Sequence, residues 1–423
     1  MNVHPPAPPP RGNWANMRPA SYFRTHRLLV ALLLLAGLLV PALRAQVSVS
    51  VHSSKSEYLV GEPIVILLEM KNVGDEPVAY GGGCDSDMKV SVAGTGPAPV
   101  PRYGCSMGVG GGSCAATDHP PRLKTGESTS LRMLLKGYRL PPGQYTIETS
   151  GKAPVHWKYY GAEEQRHDLR SSVPGREFSQ AVPVHVRLGT EEELKQAYAP
   201  LIAAAKNPVA DDRHEAEEAI AEMAPEFLEN LITSFADDQY GKQYAVIGLH
   251  HLNTTSSRRA LVQLYDKSAD IWFRRAVVEA LAELGNPEQL EFFASLLPGR
   301  QASAEEEIRI SAVRGLGRIG GAGAVDLLAH FQAQDQRLEN ERNYALGNSR
   351  SKEAVSVLIE SWTPGTQNST CAALGELTHR SWCHGDGTNP VPLWRQWWKQ
   401  HQSAETIYGE GNCSGALNGP PLA

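Results

Sequence analysis

Few segments of the 423-residue chain combine residue types that could perform catalysis. Residues 104–108 read Gly-Cys-Ser-Met-Gly, the GxSxG pattern in which Ser106 would act as a nucleophile. A nucleophile elbow needs a strand before the serine and a helix after it, whereas Pro99, Pro101 and a run of glycines surround this motif. We therefore expect Ser106 to lie on a loop, and a hydrolase is the less favoured alternative.

Three groups of residues have side chains that metal ions prefer. None of these groups has the spacing of a closed zinc site or of a complete calcium loop. Asp85 with Asp87 fits a solvated turn, and His250 with His251 fits the end of a helix. The third group fits a disulfide and consists of Cys371, His379, Cys383 and His384 with Asp386. We expect no metal ion and no cofactor.

Residues 1–45 have the layout of a secretory signal peptide. Arg24 and Arg27 precede an uncharged run at 28–43, which is shorter than the roughly 20 residues that a spanning helix needs. Cleavage is predicted after Ala45, at Leu-Arg-Ala followed by Gln46, and a start at Met17 would give a better-proportioned signal. The sequence thus predicts export to the periplasm or the extracellular space without a stable membrane span, and a retained anchor is the alternative.

Six cysteines fall in two groups of three. Export would place them in an oxidising compartment, where disulfides persist. Three plus three leaves one cysteine over in each group, so the sequence predicts disulfides but fixes no pairing, and reduced buried thiols are the alternative. The candidates are Cys84, Cys105 and Cys114, followed by Cys371, Cys383 and Cys413.

Residues 46–188 have the pattern of short β-strands separated by Gly, Pro, Asp and Asn. Strands are predicted at 47–52, 64–72, 88–92, 128–135, 144–150, 155–160 and 178–188, with a turn at 58–63. Three segments give the region its resemblance to the immunoglobulin-like β-sandwich of the BsuPI-type proteinase-inhibitor group: Tyr58 to Pro63 (YLVGEP), Asn72 to Gly74 (NVG) and Leu140 to Tyr145 (LPPGQY). The resemblance implies a sandwich in which Tyr145 is placed like a corner residue, and it carries over no inhibitor activity.

Residues 190–400 instead repeat a helical motif. Residues 274–285 match residues 309–320 position for position, and a small residue followed by Leu recurs along the region at spacings of 28 to 35 residues. Apolar residues around each pair lie on one helical face, which a single helix pair cannot bury alone, so the copies must stack. The pairs are Gly248-Leu249, Ala280-Leu281, Gly315-Leu316, Ala345-Leu346 and Ala373-Leu374, with Ala219-Ile220 as an earlier copy.

The motif resembles the short HEAT repeats named after phycobilisome lyases. The resemblance implies an α–α solenoid of about six repeats that binds partners, and it does not imply lyase chemistry. Trp382, Trp394, Trp397 and Trp398 follow the last repeat, where they would form a hydrophobic cap or, alternatively, a sugar- or peptide-binding patch. The tail at 401–423 is rich in Gly, Ser and Asn, and we expect it to be flexible.

The charge of the chain argues against a nucleic-acid partner, and the arginines on the repeated helices are candidates for binding another kind of partner. The chain carries 40 basic and 46 acidic side chains, a formal net charge of −6, whereas a nucleic-acid-binding surface needs a basic excess. Arginines recur on the repeated helices, where they would either bind a partner or pair with acids of adjacent repeats such as Glu279, Glu283 and Glu341. The candidate partner-binding residues are Arg274, Arg309, Arg314, Arg318 and Arg342.

Together these features predict an exported, multidomain β + α protein without enzymatic activity. An immunoglobulin-like β-sandwich at 46–188 would precede a HEAT-like α-solenoid at 190–400 with a Trp-rich cap. The protein would act as an interaction or scaffold protein of the cell envelope, and its partner would be another protein or a peptide. A small-ligand or carbohydrate-binding module is the alternative, and a lyase or hydrolase is less favoured.

Overall fold

The computed structural model describes residues 47–74, 78–79, 89–94, 100–101, 122–152, 177–209, 212–298, 303–380, 382 and 389–404. Several predicted features lie outside these residues. They are the signal segment at 1–45, Asp85 with Asp87, the Ser106 motif, the strand at 155–160, the segment from Cys383 to Asp386, every cysteine except Cys371, and most of the tail at 401–423.

The first half of the described chain consists of strands, which we call the β-region. They are β1 (Val47–Ser53), β2 (Glu57–Leu59), β3 (Val65–Asn72), β4 (Val78–Ala79), β5 (Lys89–Gly94), β6 (Val100–Pro101), β7 (Arg122–Leu123), β8 (Ser128–Leu134), β9 (Tyr138–Arg139), β10 (Gly143–Lys152) and β11 (Glu177–Arg187). One sheet has the order β1-β3-β8 and another the order β2-β11-β10-β5, while β4 with β7 and β6 with β9 form short pairs. Strand β2 runs parallel to β11, and the other pairings are antiparallel.

The two larger sheets share one hydrophobic core. Alternate residues of β3, namely Ile66, Leu68 and Met70, are buried, as the period-two pattern predicts. Ile66 belongs to the same buried cluster as Ile147 and Val184 of the second sheet. Burial on one face therefore specifies the strand register, because a slip of one residue would turn the apolar side chains towards water.

The predicted turn at 58–63 is wrong in its first two residues. Glu57–Leu59 forms β2, which pairs with residues 185–187 of β11. The Tyr58 ring is buried, and its hydroxyl oxygen lies 2.7 Å from the Ser53 Oγ. The turn begins after Leu59, and Gly61 within it has a φ of 87°, which favours glycine. A strand of three residues is too short to show an alternating pattern in the sequence.

Tyr145 fixes the chain at the start of β10. Its hydroxyl donates a hydrogen bond of 2.8 Å to the carbonyl of Pro141, four residues upstream. Its ring is buried, and this burial raises the pKa of the hydroxyl. A buried tyrosine that bonds the backbone just upstream has the geometry of a tyrosine corner.

From residue 191 onward the described chain is helical. The helices are α1 (Glu191–Lys206), α2 (Arg213–Met223), α3 (Glu229–Ser234), α4 (Lys242–Leu252), α5 (Thr255–Lys267), α6 (Ile271–Leu284), α7 (Leu290–Leu296), α8 (Ser303–Ile319), α9 (Gly321–His330), α10 (Gln336–Asn348), α11 (Glu353–Glu360), α12 (Gln367–Thr378) and α13 (Val391–His401). The even-numbered helices carry the small-Leu pairs, and we call them the motif helices. They pack on one another as one layer, with α7, α9, α11 and α13 in a second. In the described ranges, no helix is long and apolar enough to cross a membrane.

Small residues let the motif helices approach each other closely. A Cβ atom on Gly317 would lie 2.6 Å from the carbonyl oxygen of Ala345, and one on Gly347 would lie 2.7 Å from the Cα of Ala373. The leucine of each pair, such as Leu346, is buried beside this seam. The small residue therefore sets the helix spacing, and the leucine fills the space next to it.

Arg187, at the end of β11, attaches the β-region to the first helix. Its guanidinium donates to the Glu57 Oε1 at 2.8 Å and to the Glu193 Oε1 at 2.9 Å. These hydrogen bonds are the main reason that the pKa of each carboxyl lies below its ordinary value. The buried Tyr198 of α1 adds a hydrogen bond of 2.7 Å from its hydroxyl to the carbonyl of Gly61.

A stripe of glutamates on α2 also faces the β-region. Glu215, Glu218 and Glu222 lie on one side of this helix because they are spaced about one turn apart. A carboxylate oxygen of Glu218 lies 2.5 Å from the Lys136 Nζ, and the Glu222 Oε1 accepts a hydrogen bond of 2.8 Å from the Gly137 N–H. Residues of the β-region therefore contact this side of α2, although the Glu215 side chain stays 61% exposed. The remaining contacts are Arg132 with Glu215 at 3.6 Å and Arg139 with the Met223 carbonyl at 3.1 Å.

Candidate functional site

Each motif helix turns one set of side chains away from the packed seam. On α6 the set has four members, which lie nine, five and two residues before Leu281 and two residues after it. At 3.6 residues per turn, these four positions share one side of the helix. We call these positions the motif face. On α2 the equivalent positions hold the glutamate stripe that the β-region covers. The uncovered sets include Trp272, Ala276, Glu279 and Glu283 on α6, and Arg337, Glu341, Tyr344 and Asn348 on α10.

Three exposed aromatic side chains lie on the motif face. Tyr240 and Trp272 are each 67% exposed, and Tyr344 is 44% exposed. Tyr240 and Trp272 occupy the same position, nine residues before the leucine, in consecutive repeats. The sequence analysis missed these residues, although an aromatic residue at one offset in two successive repeats is a signal that could have identified them. Exposed rings grouped on one surface are typical of interaction sites.

An ion-pair network crosses the motif face from α6 to α10. Arg275 donates to the Glu279 Oε1 at 2.7 Å and also lies 3.8 Å from Glu307 on α8. Arg337 on α10 lies 2.6 Å from Glu307. The hydrogen bond to Glu307 is the main reason that the pKa of the Arg337 guanidinium is raised. The network therefore restricts the movement of its arginines.

Arg314 adds a two-pronged contact to the same surface. Its Nε and terminal nitrogen donate to the two carboxylate oxygens of Glu341 at 2.8 and 2.7 Å. This hydrogen bonding is the main cause of the raised pKa of Arg314. The contact matches the alternative in which the arginines pair with acids of adjacent repeats.

The structure does not bring the five predicted partner-binding arginines together. The guanidinium of Arg274 lies 4.1 Å from the ring centre of Tyr265 on α5 and donates to its hydroxyl. Arg309 and Arg342 are buried, and burial lowers the pKa of Arg342, which donates at 3.2 Å to the Asn343 side chain. The two that belong to the motif face are Arg314 and Arg318; Arg318 is exposed and forms no ion pair with a described residue.

The tryptophans after the last repeat form a hydrophobic cap. Trp394 and Trp397 are buried in the same core as the motif helices, and Trp382 and Trp398 pack against it. The ring centres of Trp382 and Trp394 are 4.6 Å apart, and the guanidinium of Arg380 lies 5.6 Å from the Trp382 ring centre. Burial leaves Trp394 and Trp397 no free ring face for stacking on a sugar, so the alternative role of a binding patch does not apply to these two residues.

His250 and His251 contact different neighbouring helices. The Nδ1 of His251 lies 3.1 Å from the carbonyl oxygen of Ala221 on α2. The Nε2 of His250 lies 3.6 Å from the Glu283 Oε2 on α6. The ring centres of the two imidazoles are 5.7 Å apart, and each ring contacts a different helix.

One group of described residues has the composition of a cation site, namely His214, Glu217 and Asp238, whose ligand atoms lie within 4.8 Å of one another. The buried Glu217 already accepts from the Arg213 Nε at 2.8 Å and lies 3.0 Å from the His214 Nδ1. A terminal nitrogen of Arg213 also lies 3.7 Å from Asp238. The guanidinium therefore occupies the place of a cation, and the cluster stabilises the contact between α2 and the start of α4.

Most of the candidate residues for catalysis, metal binding or disulfides lie outside the described residues. Cys371 on α12 is disulfide-bonded, and because the other five cysteines lie outside the described residues, the pairing scheme stays a prediction. The interpretations of Ser106, of Asp85 with Asp87, and of the segment from Cys383 to Asp386 also stay predictions.

Three solved structures have weak similarity to this chain. An engineered protein shares 17% identity over 44% of this chain and 98% of its own, with a TM-score of 0.28. Human deoxyhypusine hydroxylase, in complex with glycerol, shares 17% identity over 49% of this chain and 97% of its own, with a TM-score of 0.23. A Salmonella alpha-2-macroglobulin mutant shares 11% identity over 80% of this chain and 26% of its own, with a TM-score of 0.18. Scores this low support no conclusion about fold or function.

The repeat motif itself has a clear match. A family profile described as HEAT repeats matches residues 224–301, the part of the chain that includes α3 to α7. No curated protein matches the chain. The profile match and the alternating helices around it agree with the predicted helical repeats, and the C-terminal half of the described chain fits a HEAT-like repeat protein.

Proposed function

We propose that this chain is a non-enzymatic interaction protein that binds another protein through the motif face. The observation that carries the proposal is the exposure of Tyr240, Trp272 and Tyr344 on this single surface. Aromatic and arginine anchors supply most of the binding energy of protein interfaces. HEAT-type repeats commonly bind other proteins, and a stack of such repeats gives an extended surface for the purpose. The stack would form a solenoid with the motif face on its concave side.

Restricted side chains on this face favour tight binding. A flexible arginine loses conformational entropy when a partner immobilises it, and this loss reduces affinity. Arg314 and Arg337 are already held by Glu341 and Glu307, so most of that entropy is lost on folding. Arg318, exposed on the same helix as Arg314, remains the predicted arginine best placed to reach a partner.

The proposal includes export. Cleavage after Ala45 would release a mature chain into the periplasm or the extracellular space, where the predicted disulfides would persist. Fractionation of the producing cell, followed by N-terminal sequencing of the chain, tests this part. A chain found in the cytoplasm with residues 1–45 still attached would contradict it.

Site-specific photo-crosslinking tests the binding surface. A photoreactive phenylalanine analogue replaces Trp272 or Tyr344 on the motif face, and Arg259, which is exposed on α5, a helix without a small-Leu pair, serves as the matched position outside the motif face. We expect the full-length chain to crosslink to a protein of defined mass from the first two positions and not from the third.

Two outcomes would count against the proposed function. Crosslinking of equal yield from all three positions would indicate non-specific contact. A partner captured only from Arg259 would place the interface outside the motif face. Circular dichroism of each variant shows whether the chain is folded, so that a negative result is not caused by unfolding.

A further inference from the structure

The acidic charge of the helical half is concentrated near its start. Residues 190–300 carry 10 Lys and Arg against 19 Asp and Glu, a net charge of −9. Residues 301–400 carry 10 against 11, a net charge of −1. Tyr240 and Trp272 lie in the first of these segments, whereas Tyr344 lies in the second. The exposed aromatic residues of the motif face therefore lie in two segments of different net charge.

The rings in the acidic part lie at neighbouring helix ends. Tyr240 precedes α4, and Trp272 is the second residue of α6. The Lys242 Nζ lies 3.6 Å from the Asp270 Oδ2, which links these two helix ends. The His214 ring centre is 5.6 Å from that of Tyr240, so a third ring continues the row. We call Tyr240, Trp272 and His214 the aromatic row.

A carboxylate lies at the base of each large ring in this row. The Asp238 Oδ2 accepts from the backbone N–H of Tyr240 at 3.2 Å, and the Asp270 Oδ1 accepts from the backbone N–H of Trp272 at 3.0 Å. Asp238 faces Arg213 at 3.7 Å and Asp270 faces Lys242 at 3.6 Å, but neither contact is close, and the two carboxylates keep 31% and 44% of their side-chain surface exposed. An exposed ring next to a carboxylate attracts a cation twice, through the negative face of the ring and through the carboxylate charge.

Lys242, at the start of α4, already lies near one ring and one carboxylate of this kind. The Nζ of Lys242 lies 5.4 Å from the ring centre of Phe273 and is also the atom that faces Asp270. A lysine of this chain thus uses one ring and one carboxylate, while the exposed Tyr240 and Trp272 lie two residues before Lys242 and two residues after Asp270 in the chain. The side chains that recognise an ammonium or a guanidinium group are therefore present at the starts of both α4 and α6.

From this charge and ring pattern we infer that the aromatic row binds a cationic segment of the partner protein, in which lysine or arginine side chains lie over Tyr240 and Trp272. This inference rests on the proposed function and specifies the partner's chemistry. The sequence had suggested the arginines as partner-binding residues, but two arginines of this face, Arg314 and Arg337, are paired with glutamates. The net charge of −9 repels an acidic peptide and a nucleic acid alike.

Peptide binding to the full-length chain tests the inference. The probes are three fluorescein-labelled peptides of equal length in which glycine alternates with arginine, with glutamate or with serine, and the readout is fluorescence anisotropy. We expect the arginine peptide to bind, the other two to bind at least about tenfold more weakly, and added salt to weaken the binding.

Alanine variants of the exposed rings leave the net charge unchanged. They therefore distinguish binding by the aromatic row from general attraction to an acidic protein. Trp272→Ala should weaken binding of the arginine peptide about tenfold, whereas Tyr344→Ala, which removes an exposed ring from the nearly neutral part, should change it less than about twofold.

A further variant tests the carboxylate beside the Trp272 ring. Asp270→Asn removes one charge and keeps a good N-cap for α6, so it should weaken binding without unfolding the helix.

Unchanged binding in Trp272→Ala would overturn the inference, because the attraction would then come from net charge alone. Tighter binding of the glutamate or serine peptide would overturn it as well. The proposed function fails separately. If the crosslinked partner contacts position 272 through an acidic or uncharged segment, the motif face binds a protein and only the cationic assignment is wrong.

Discussion

Replacing Gly317 with alanine should destabilise the helical array, although alanine is the better helix former. The change by itself stabilises an α-helix by about 1 kcal/mol. The new Cβ, however, would lie 2.6 Å from the carbonyl oxygen of Ala345 and 2.7 Å from its Cα. These are backbone atoms of α10, so no side-chain rotation can make room, and α8 and α10 must move apart.

The size of the effect follows from these two opposing contributions. Overpacking that shifts the backbone costs about 1–3 kcal/mol, and contact with backbone atoms at this distance belongs at the upper end. Subtracting the gain in helix propensity leaves a net loss of about 2 kcal/mol in the free energy of unfolding. Gly347→Ala should behave alike, because its Cβ would lie 2.7 Å from the Cα of Ala373.

Gly323 provides the matched control. It lies in α9 with an exposed backbone, and a Cβ there would meet only the tip of Leu290, at 3.3 Å. Since that flexible side chain can move, Gly323→Ala should stabilise the protein by about 0.4–1 kcal/mol. Urea unfolding of the full-length chain, followed by far-ultraviolet circular dichroism, measures both variants. A rise in the urea midpoint for Gly317→Ala equal to that for Gly323→Ala would refute the argument that backbone contact sets the helix spacing.

Three further predictions concern the corner, the cap and the attachment of the two halves. Tyr145→Phe removes the hydrogen bond to the Pro141 carbonyl and should lower the stability of the β-region by about 1 kcal/mol, measured by chemical denaturation. Trp394→Ala empties a fully buried site and should cost about 3–5 kcal/mol, seen as an earlier loss of helical signal on heating. Acid should weaken the contacts of Arg187, because the carboxyl groups of Glu57 and Glu193 have lowered pKa values in the folded state. The stabilisation that these contacts give is present above the unfolded-state pKa of the carboxyl groups. It is lost as the pH falls through their folded-state pKa. Thermal melts at neutral and acidic pH should therefore differ less in Arg187→Ala than in the unchanged chain.

Local patterns are enough to predict the long strands and the repeated helices. Strand β3 alternates over eight residues, and each small-Leu pair follows from the need to bring helices together while filling the space between them. Strand β2 could not be found in this way, because Tyr58 and Leu59 are both buried and no alternation develops in three residues. Its place in the sheet depends on pairing with β11, well over a hundred residues later.

The arginines show why residue type and recurrence do not identify a binding surface. Arg309 and Arg314 are five residues apart, which rotates them to different sides of α8 at 3.6 residues per turn. One is buried, and the other reaches the motif face. The partner of Arg314, Glu341, lies 27 residues away, so the pair depends on how α8 and α10 are aligned. The positions relative to Leu316 distinguish the two arginines, because Arg314 lies two residues before this leucine and Arg309 lies seven.

The same limit applies to the glutamates of α2. In the sequence, Glu215, Glu218 and Glu222 look like the solvated face of an acidic helix. Their partners come from the strand region about 80 residues earlier, where Lys136 and Gly137 meet two of them. Local pattern cannot reveal a contact at that separation, because it depends on how the β-region docks against the helices.

Both ends of the repeat array are occupied, by the β-region at α2 and by the tryptophan cap at α13. Lengthening at either end would break specialised contacts, whereas the internal seams α8–α10 and α10–α12 use the same contact of a glycine with an alanine. Duplication or deletion of whole helix pairs between α4 and α12 would therefore preserve both ends and change only the length of the motif face. Relatives of this protein should differ in the number of internal repeats, in steps of about 30 residues, while the helices at both ends are kept.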